Sequence, residues 1–495
     1  GALRGTATGP DGGTGSVSAF LGVPFIAPPV GRLRFASPRP HPPWTGIRAC
    51  VEHRSAFLQP RRGLPPVTAP APAAGATAED AVHANVWTPD VAGRRPVLIY
   101  VHGGGWEVGT AASATFDGAR LAAHGDLVVV TFNYRLGPFG FGRHEQLADP
   151  VTGLCANWGL QDQIALVEWV RTTIAAFGGD PENITLCGTS AGAAGVWQLA
   201  LLPRLRGAIR RIVPISAAHV WTPAYALEPE DAHTAFEAVA GRLGVDVPGL
   251  RTVDDERLLT VWQEYFAHVP DGHPTASGRW YRGPVVDGEL IPDHDVHRPV
   301  PDLPTLSVTT ATEGSFYTAA ARPRPVDDTG LRTMVRDLLL TGRADIPERL
   351  VDAAVGHYRE CAHEAGLASD PLSLYTEILG DAMFRHQIVR TAERGARESG
   401  TPRFLMYFEY AVHPPGFGSP HEATSPFLFG THGIPQHREA FGDGPLERRV
   451  SQTLMDLVAS FAHDGVPSSE QAPQWPRFTP DEPSTMLLGG PDGPQ

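Results

Sequence analysis

Ser190 stands at the centre of the pentapeptide Gly188-Thr189-Ser190-Ala191-Gly192. An apolar, β-branched run over residues 184–187 precedes it, and small residues compatible with a helix follow it. A strand that turns sharply into a helix strains the central residue, and flanking glycines let the two elements approach closely. The pattern predicts that the Ser190 hydroxyl is presented as a nucleophile. Since the chain has 54 glycines, the pentapeptide alone is modest evidence, and its context supports the prediction.

A glycine-rich segment upstream supplies that context. His102-Gly103-Gly104-Gly105-Trp106 follows the apolar strand predicted over residues 97–101. Successive backbone N–H groups without side chains can stabilise the negative charge of a tetrahedral intermediate. We therefore predict an oxyanion hole formed by the N–H groups of Gly104, Gly105 and Ala191. The alternatives are a plain glycine turn or a phosphate-binding loop, but the chain contains no lysine, which a phosphate loop of the usual kind requires.

Many ordered segments of the chain resemble the type-B carboxylesterases, the cholinesterase-like branch of the α/β-hydrolase fold. The resemblance extends from the N-terminus to near Pro476, and the segments that carry it besides the two above are Phe20-Leu21-Gly22-Val23-Pro24, Pro28-Pro29-Val30-Gly31, Leu33-Arg34-Phe35, Glu79-Asp80, Asn85-Val86-Trp87-Thr88-Pro89, Asn133-Tyr134-Arg135-Leu136-Gly137, Gly159-Leu160-Gln161-Asp162-Gln163 and Phe177-Gly178-Gly179-Asp180-Pro181-Glu182-Asn183. It implies an α/β fold with a mostly parallel central sheet flanked by helices. We expect one catalytic domain over residues 1–495, with a helical lid or regulatory insertion at 320–400.

The resemblance also implies an acid and a base downstream of the serine. Glu313, in Thr312-Glu313-Gly314-Ser315-Phe316-Tyr317, matches the family's acid loop. His421 stands at the family's distance ahead of Phe427-Leu428-Phe429-Gly430 and is the predicted base, with His413 and His432 as fallback choices. An imidazole can take and return a proton near neutral pH, and a carboxylate on its other nitrogen holds the ring in place.

The predicted function is hydrolysis of carboxylic esters through an acyl-enzyme, on neutral, moderately sized, apolar substrates. Aromatic residues near the motifs are predicted to line the binding site together with Thr189; they are Trp106, Phe316, Tyr317 and Trp221. Core packing is the alternative for each of these rings. Two further functional classes stay open: a biosynthetic acyltransferase, cyclase or amidase that uses the same acyl-enzyme, and a non-catalytic binding relative.

The chain departs from the family beside the serine and the histidine. Many members have glutamates where this chain has Thr189 and Thr424, and we expect Ser216 to hydrogen-bond the two threonines instead. Glu422 is not expected to replace the missing acids, because its side chain starts from a different backbone position. The hypothesis that follows is a less negative pocket that disfavours cationic esters. The family also implies structural ion pairs of Arg34 with Glu79 and of Arg135 with Asp180.

Composition restricts the partners. The formal net charge of −14 argues against nucleic acid, and no apolar run approaches the roughly 20 residues of a membrane span.

The sequence has four cysteines and has Ala81 in place of a family disulfide cysteine, which favours a cytoplasmic location; export stays possible, because residue 1 is not Met. The cluster 293–297 could suggest a metal, but a solvated loop is favoured, and no metal or cofactor is predicted. The oligomeric state is left open.

Overall fold

A computed structural model describes residues 1–9, 17–60, 77–217, 228–267, 283–320, 324–339, 346–413 and 418–490. Trp221, most of the proline-rich stretch 64–78 and most of the glycine-rich stretch 9–15 lie outside the described residues.

The described part of the chain is organised around a ten-stranded mixed sheet. Its strands are β1 (Thr6–Thr8), β2 (Val17–Pro24), β3 (His83–Thr88), β4 (Arg95–Val101), β5 (Val128–Phe132), β6 (Gly179–Thr189), β7 (Arg211–Ile215), β8 (Thr305–Thr310), β9 (Arg403–Phe408) and β10 (Thr485–Leu488). Their order across the sheet is β10-β9-β8-β7-β6-β4-β5-β3-β2-β1. Neighbours from β10 to β5 are parallel, and the pairs that involve β1, β2 and β3 are antiparallel. Two short parallel pairs lie outside this sheet: Ala2–Arg4 with Ile47–Ala49, and Ala56–Phe57 with Thr77–Ala78.

Helices connect the strands. The described α-helices span Ala119–Gly125, Gly137–Gly140, Trp158–Thr173, Ala191–Leu201, Pro229–Leu243, Asp255–Ala267, Ser315–Ala320, Asp328–Leu339, Glu348–Glu364, Pro371–Gly380, His386–Glu398, Ser425–Leu428, Arg438–Phe441 and Pro445–Asp464. A π-helical turn, Asp381–Arg385, joins two of them. None of the described helices is long and apolar enough to cross a bilayer.

Strand β4 illustrates why the sheet is central. Its apolar residues are buried on both faces, as a parallel strand covered by helices requires. Val97 and Ile99 belong to one hydrophobic cluster, whereas Leu98 and Tyr100 belong to another, because successive side chains of a strand point to opposite faces. A third cluster lies within the helices between β8 and β9 and includes Leu331, Val355 and Leu374. The helical insertion predicted at 320–400 therefore has a small core of its own.

The two predicted ion pairs have different outcomes. Arg34 pairs with Glu79 at 2.6 Å, as expected. The prediction for Arg135 is wrong: its guanidinium is bound by Asp162 at 2.7 Å, and Asp180 pairs with Arg94 instead. A buried guanidinium needs a buried carboxylate, and Asp162 is fully buried whereas the side chain of Asp180 is 17% exposed.

Candidate active site

Ser190 lies in the turn between β6 and the helix Ala191–Leu201. Its backbone has φ 58° and ψ −125°, a strained conformation for a residue that is not glycine. The Ser190 amide donates to the carbonyl of Ile215 at 2.9 Å, which ties the turn to the end of the neighbouring strand β7. The predicted strand-turn-helix around the serine is therefore present.

The flanking glycines are required by close backbone approaches. A Cβ atom at Gly192 would lie 2.0 Å from the carbonyl oxygen of Val101, and one at Gly188 would lie 2.7 Å from that of Gly192. Real Cβ atoms do not approach other atoms so closely, so any side chain would push the helix away from the sheet. This packing explains why glycine stands on both sides of the serine.

Glu313 and His421 are in direct contact. The Nδ1 atom of His421 lies 2.6 Å from Oε2 of Glu313, and both side chains are almost completely buried. The other carboxylate oxygen accepts hydrogen bonds from Ser216 Oγ at 2.6 Å and from the Thr310 amide at 2.8 Å. Glu313 is therefore held on one side by the protein and holds the imidazole on the other. The expectation that Ser216 binds the two threonines is wrong.

The sheet brings these residues to one edge. Ser190 follows β6, Ser216 follows β7 and Glu313 follows β8, and these three strands are adjacent and parallel. Their carboxyl ends therefore lie side by side, where open α/β sheets bind ligands. Nε2 of His421 is buried and has no hydrogen-bond partner among the described residues, so this nitrogen is available to a proton donor. His413 and His432 contact Tyr410 and Phe427 instead, so neither takes the predicted place of His421.

The glycine loop after β4 passes directly beside the serine. A Cβ atom at Gly103 would lie 3.0 Å from that of Ser190. Gly104 has φ 114°, and a side chain there would collide with the Val108 carbonyl at 2.0 Å. The amides of Gly104, Gly105 and Ala191 donate no hydrogen bond to another described residue. These three donors are therefore free to bind an oxyanion, which is the role that the sequence predicts for them.

His102 anchors this loop. Its ring stacks on Tyr134 with a centroid separation of 4.6 Å, and the Tyr134 hydroxyl donates to the His102 carbonyl at 2.8 Å. Burial lowers the pKa of His102 to about 4, so the ring is neutral at physiological pH.

The predicted binding residues separate into two groups. The rings of Phe316 and Tyr317 lie 5.6 and 5.7 Å from the ring of His421. Trp106, in contrast, is 2% exposed and packs in the main core, which favours the packing alternative. Thr189 does not face a substrate: its fully buried hydroxyl lies 2.9 Å from the hydroxyl of Tyr100. The prediction of a binding role for Thr189 is therefore wrong, because the side chain of the residue before the nucleophile points into the protein.

Sequence reasoning missed Phe384. Its ring is 4.5 Å from that of His421 and stacks on Tyr317. It lies in the π-helical turn Asp381–Arg385, which the sequence pattern predicts only as ordinary helix. Inserted turns of this kind often occur at functional sites.

Glu422 also departs from expectation. Its Oε2 atom accepts from Ser425 Oγ at 3.3 Å. Its Oε1 atom lies 2.6 Å from the point that a Cβ of Gly103 would occupy. Glu422 is not expected to replace the missing acids, but the structure places its carboxyl group beside the serine and the oxyanion loop. One carboxyl group therefore remains in this part of the site, and burial raises its pKa.

The described residues offer no convincing metal centre. In the cluster 293–297, Asp295 binds Gln198 and Arg298, and His294 binds Glu228. One other group of candidate ligands, His144, Glu145 and His233, lies together elsewhere. The two imidazoles of that group stack at 4.2 Å with an angle of 12°, and lone pairs in nearly parallel ring planes cannot both point at one ion.

Buried histidines predict a loss of stability in acid. Burial lowers the pKa values of His102, His432 and His437 to about 4. Between about pH 4 and 6.5 the unfolded chain binds protons that the folded chain does not, so the free energy of unfolding falls as the pH falls through this window. We expect the Tm, measured by circular dichroism, to drop by roughly 5 °C or more between pH 7.5 and 4.5.

The control for this prediction is His432→Phe. The His432 ring stacks on Phe427, and both its nitrogens lack partners among the described residues, so phenylalanine preserves the packing and removes the titration. The variant should lose less of its Tm on acidification than the wild-type protein. An unchanged pH slope in the variant, or a wild-type Tm that is constant over this range, would contradict the prediction.

Comparison with known proteins gives a consistent result. The model of the carboxylesterase family matches residues 1–492. The chain is 30% identical to phenmedipham hydrolase of Pseudarthrobacter oxydans over 95% of its own length and 91% of the relative's. It is 31% identical to fumonisin B1 esterase of Sphingopyxis macrogoltabida, with 94% and 83% covered. A crystal structure of a Geobacillus stearothermophilus carboxylesterase superposes with a TM-score of 0.80 at 27% identity, covering 98% of this chain and 94% of that one.

Proposed function

The chain belongs to the carboxylesterase family and is a carboxylic-ester hydrolase with the α/β-hydrolase fold, and from that premise we propose that Ser190, His421 and Glu313 form its catalytic triad. The observation that carries the proposal is the 2.6 Å contact between Glu313 Oε2 and His421 Nδ1, which leaves Nε2 of the imidazole without a partner among the described residues.

The reaction proceeds in two halves. Ser190 Oγ attacks the ester carbonyl while its proton passes to His421 Nε2, and Glu313 stabilises the imidazolium. The amides of Gly104, Gly105 and Ala191 bind the developing oxyanion. The imidazolium then protonates the departing alcohol, and the serine remains acylated. A water molecule attacks the acyl-enzyme by the same route, which releases the acid and restores the serine.

The substrates that we propose are neutral, moderately sized, apolar esters. The support is the group of aromatic rings packed around the imidazole, which comprises Phe316, Tyr317 and the buried Phe384. We further propose that the helices within residues 320–400 act as a lid, since the turn that carries Phe384 belongs to them. Related esterases include a para-nitrobenzyl esterase of Bacillus subtilis, 27% identical to this chain, so para-nitrobenzyl esters are suitable first probes.

A matched pair of substrates tests the preference for neutral esters. Butyrylcholine and 3,3-dimethylbutyl butyrate share an acyl group and a shape, but only the first carries a charge. We expect kcat/KM to be roughly tenfold higher for the neutral ester, because a cation must shed hydration to enter the site, and the nearby carboxylates of Glu313 and Glu422 are buried and already bonded to other side chains. Equal or faster turnover of the choline ester would contradict this preference. It would not contradict the proposed triad, because both esters would be cleaved by the same nucleophile.

A further inference from the structure

Glu422 has an unusual backbone conformation for its residue type. It follows His421 directly and has φ 72°, in the left-handed region that favours glycine. Strained residues of this kind persist where the surroundings hold them in place, and they concentrate at functional sites. The side chain at this strained position is a carboxylate that lies against Gly103 and Ser425.

The contacts of Glu422 place its carboxylate on the oxyanion-loop side of the nucleophile. Its Oε1 atom lies 2.6 Å from the Cβ position of Gly103, and the Ser190 Cβ lies 3.0 Å from that same point. Its Oε2 atom accepts from Ser425, whose hydroxyl is 3.1 Å from that of Tyr100. The carboxylate is thus held at one end by a hydroxyl and lies at the other end beside the reacting serine.

Glu422 interacts electrostatically with His421. Burial raises the pKa of Glu422, and the neighbouring carboxylate Glu313 adds to this effect, whereas protonated His421 lowers it. Tyr100 and Tyr134 also face Glu422, and burial together with this carboxylate raises their pKa values, so both phenols stay neutral. By reciprocity, a negative Glu422 stabilises the positive charge that His421 acquires.

We propose that Glu422 is a positioning residue of this esterase, which stabilises the imidazolium of His421 while Ser190 attacks the ester. The inference rests on the proposed triad. Thr189 and Thr424 supply no charge here, and the hydroxyl of Thr424 is buried without a partner among the described residues. The second carboxylate of the site comes from the position directly after the histidine instead.

The test is the variant Glu422→Gln, which keeps the size and the acceptor for Ser425 but removes the charge. With a neutral ester near pH 7.5, kcat should fall by about 10- to 100-fold, while KM changes by less than about threefold. Ser425→Ala removes one hydrogen bond to Oε2 but leaves the glutamate in place, so its kcat should fall by less than that of Glu422→Gln. Glu409→Gln is the matched control, because Glu409 is also a glutamate whose pKa burial raises but lies at the end of β9, outside the triad contacts.

The possible outcomes distinguish an electrostatic role of Glu422 from a purely structural one. A wild-type kcat in Glu422→Gln, or an equal loss in Ser425→Ala, overturns the inference. So does a loss that appears only in KM or only with the choline ester. If Glu422→Gln does not fold, the pair Glu422→Asp and Glu422→Asn repeats the comparison, and the aspartate variant should be the faster one. Should Ser190→Ala retain full activity, the triad itself fails; a normal Glu422→Gln beside an inactive Ser190→Ala removes only the role of Glu422.

Discussion

Replacement of Ser190 by alanine is expected to lower kcat for ester hydrolysis by about 10⁵- to 10⁶-fold, because the oxygen that forms the acyl-enzyme is gone. The substitution should leave the fold intact, since alanine retains the Cβ atom and the Ser190 amide still binds the Ile215 carbonyl. Initial rates with a para-nitrobenzyl ester, together with circular dichroism, measure both expectations.

The control for this prediction is Ser460→Ala. Ser460 lies on the helix Pro445–Asp464 and bonds only to nearby backbone and loop atoms, so its loss should leave kcat unchanged. Activity of Ser190→Ala within about a hundredfold of the wild type would mean that another residue is the nucleophile.

The second large effect is expected from Glu313→Gln. The carboxylate now accepts from His421, Ser216 and Thr310, and an amide can accept at only one of its two terminal atoms. The imidazole is then no longer held in the tautomer whose Nε2 takes the serine proton, and the imidazolium loses its partner. We expect kcat to fall by about 10⁴-fold.

Ser216→Ala is the companion variant for this second prediction. It removes one hydrogen bond to Glu313 but keeps the charge, so kcat should fall by only about tenfold. If Glu313→Gln were as active as Ser216→Ala, the carboxylate would serve as a structural contact and not as the acid of a triad.

Local sequence patterns predict much of this site because its parts are local. The turn at Ser190 and the glycine loop each depend on short segments in which a Cβ atom would collide with a neighbouring backbone. The glycines in these segments therefore indicate the close backbone approaches directly from the sequence. The choice of Glu313 and His421 also depends on spacing that the family shares. The central parallel strands are predictable for the same reason, since they are continuous apolar runs such as 97–101.

The features that sequence reasoning missed depend on packing between distant segments. Phe384 lies in a π-helical turn and packs against His421, which is distant from it in sequence. Asp162 binds Arg135 because both are buried, a property that spacing does not encode. Glu422 faces the serine through a left-handed backbone that its residue type disfavours. In each case the tertiary environment overrides what the local pattern favours.

Covalent labelling tests the central claim most directly. A fluorophosphonate should modify the active wild-type enzyme at one residue, and peptide mass mapping should place the adduct on Ser190. The same reagent should leave Ser190→Ala unmodified. An adduct on another side chain, or an enzyme that hydrolyses esters without reacting at Ser190, would contradict the account.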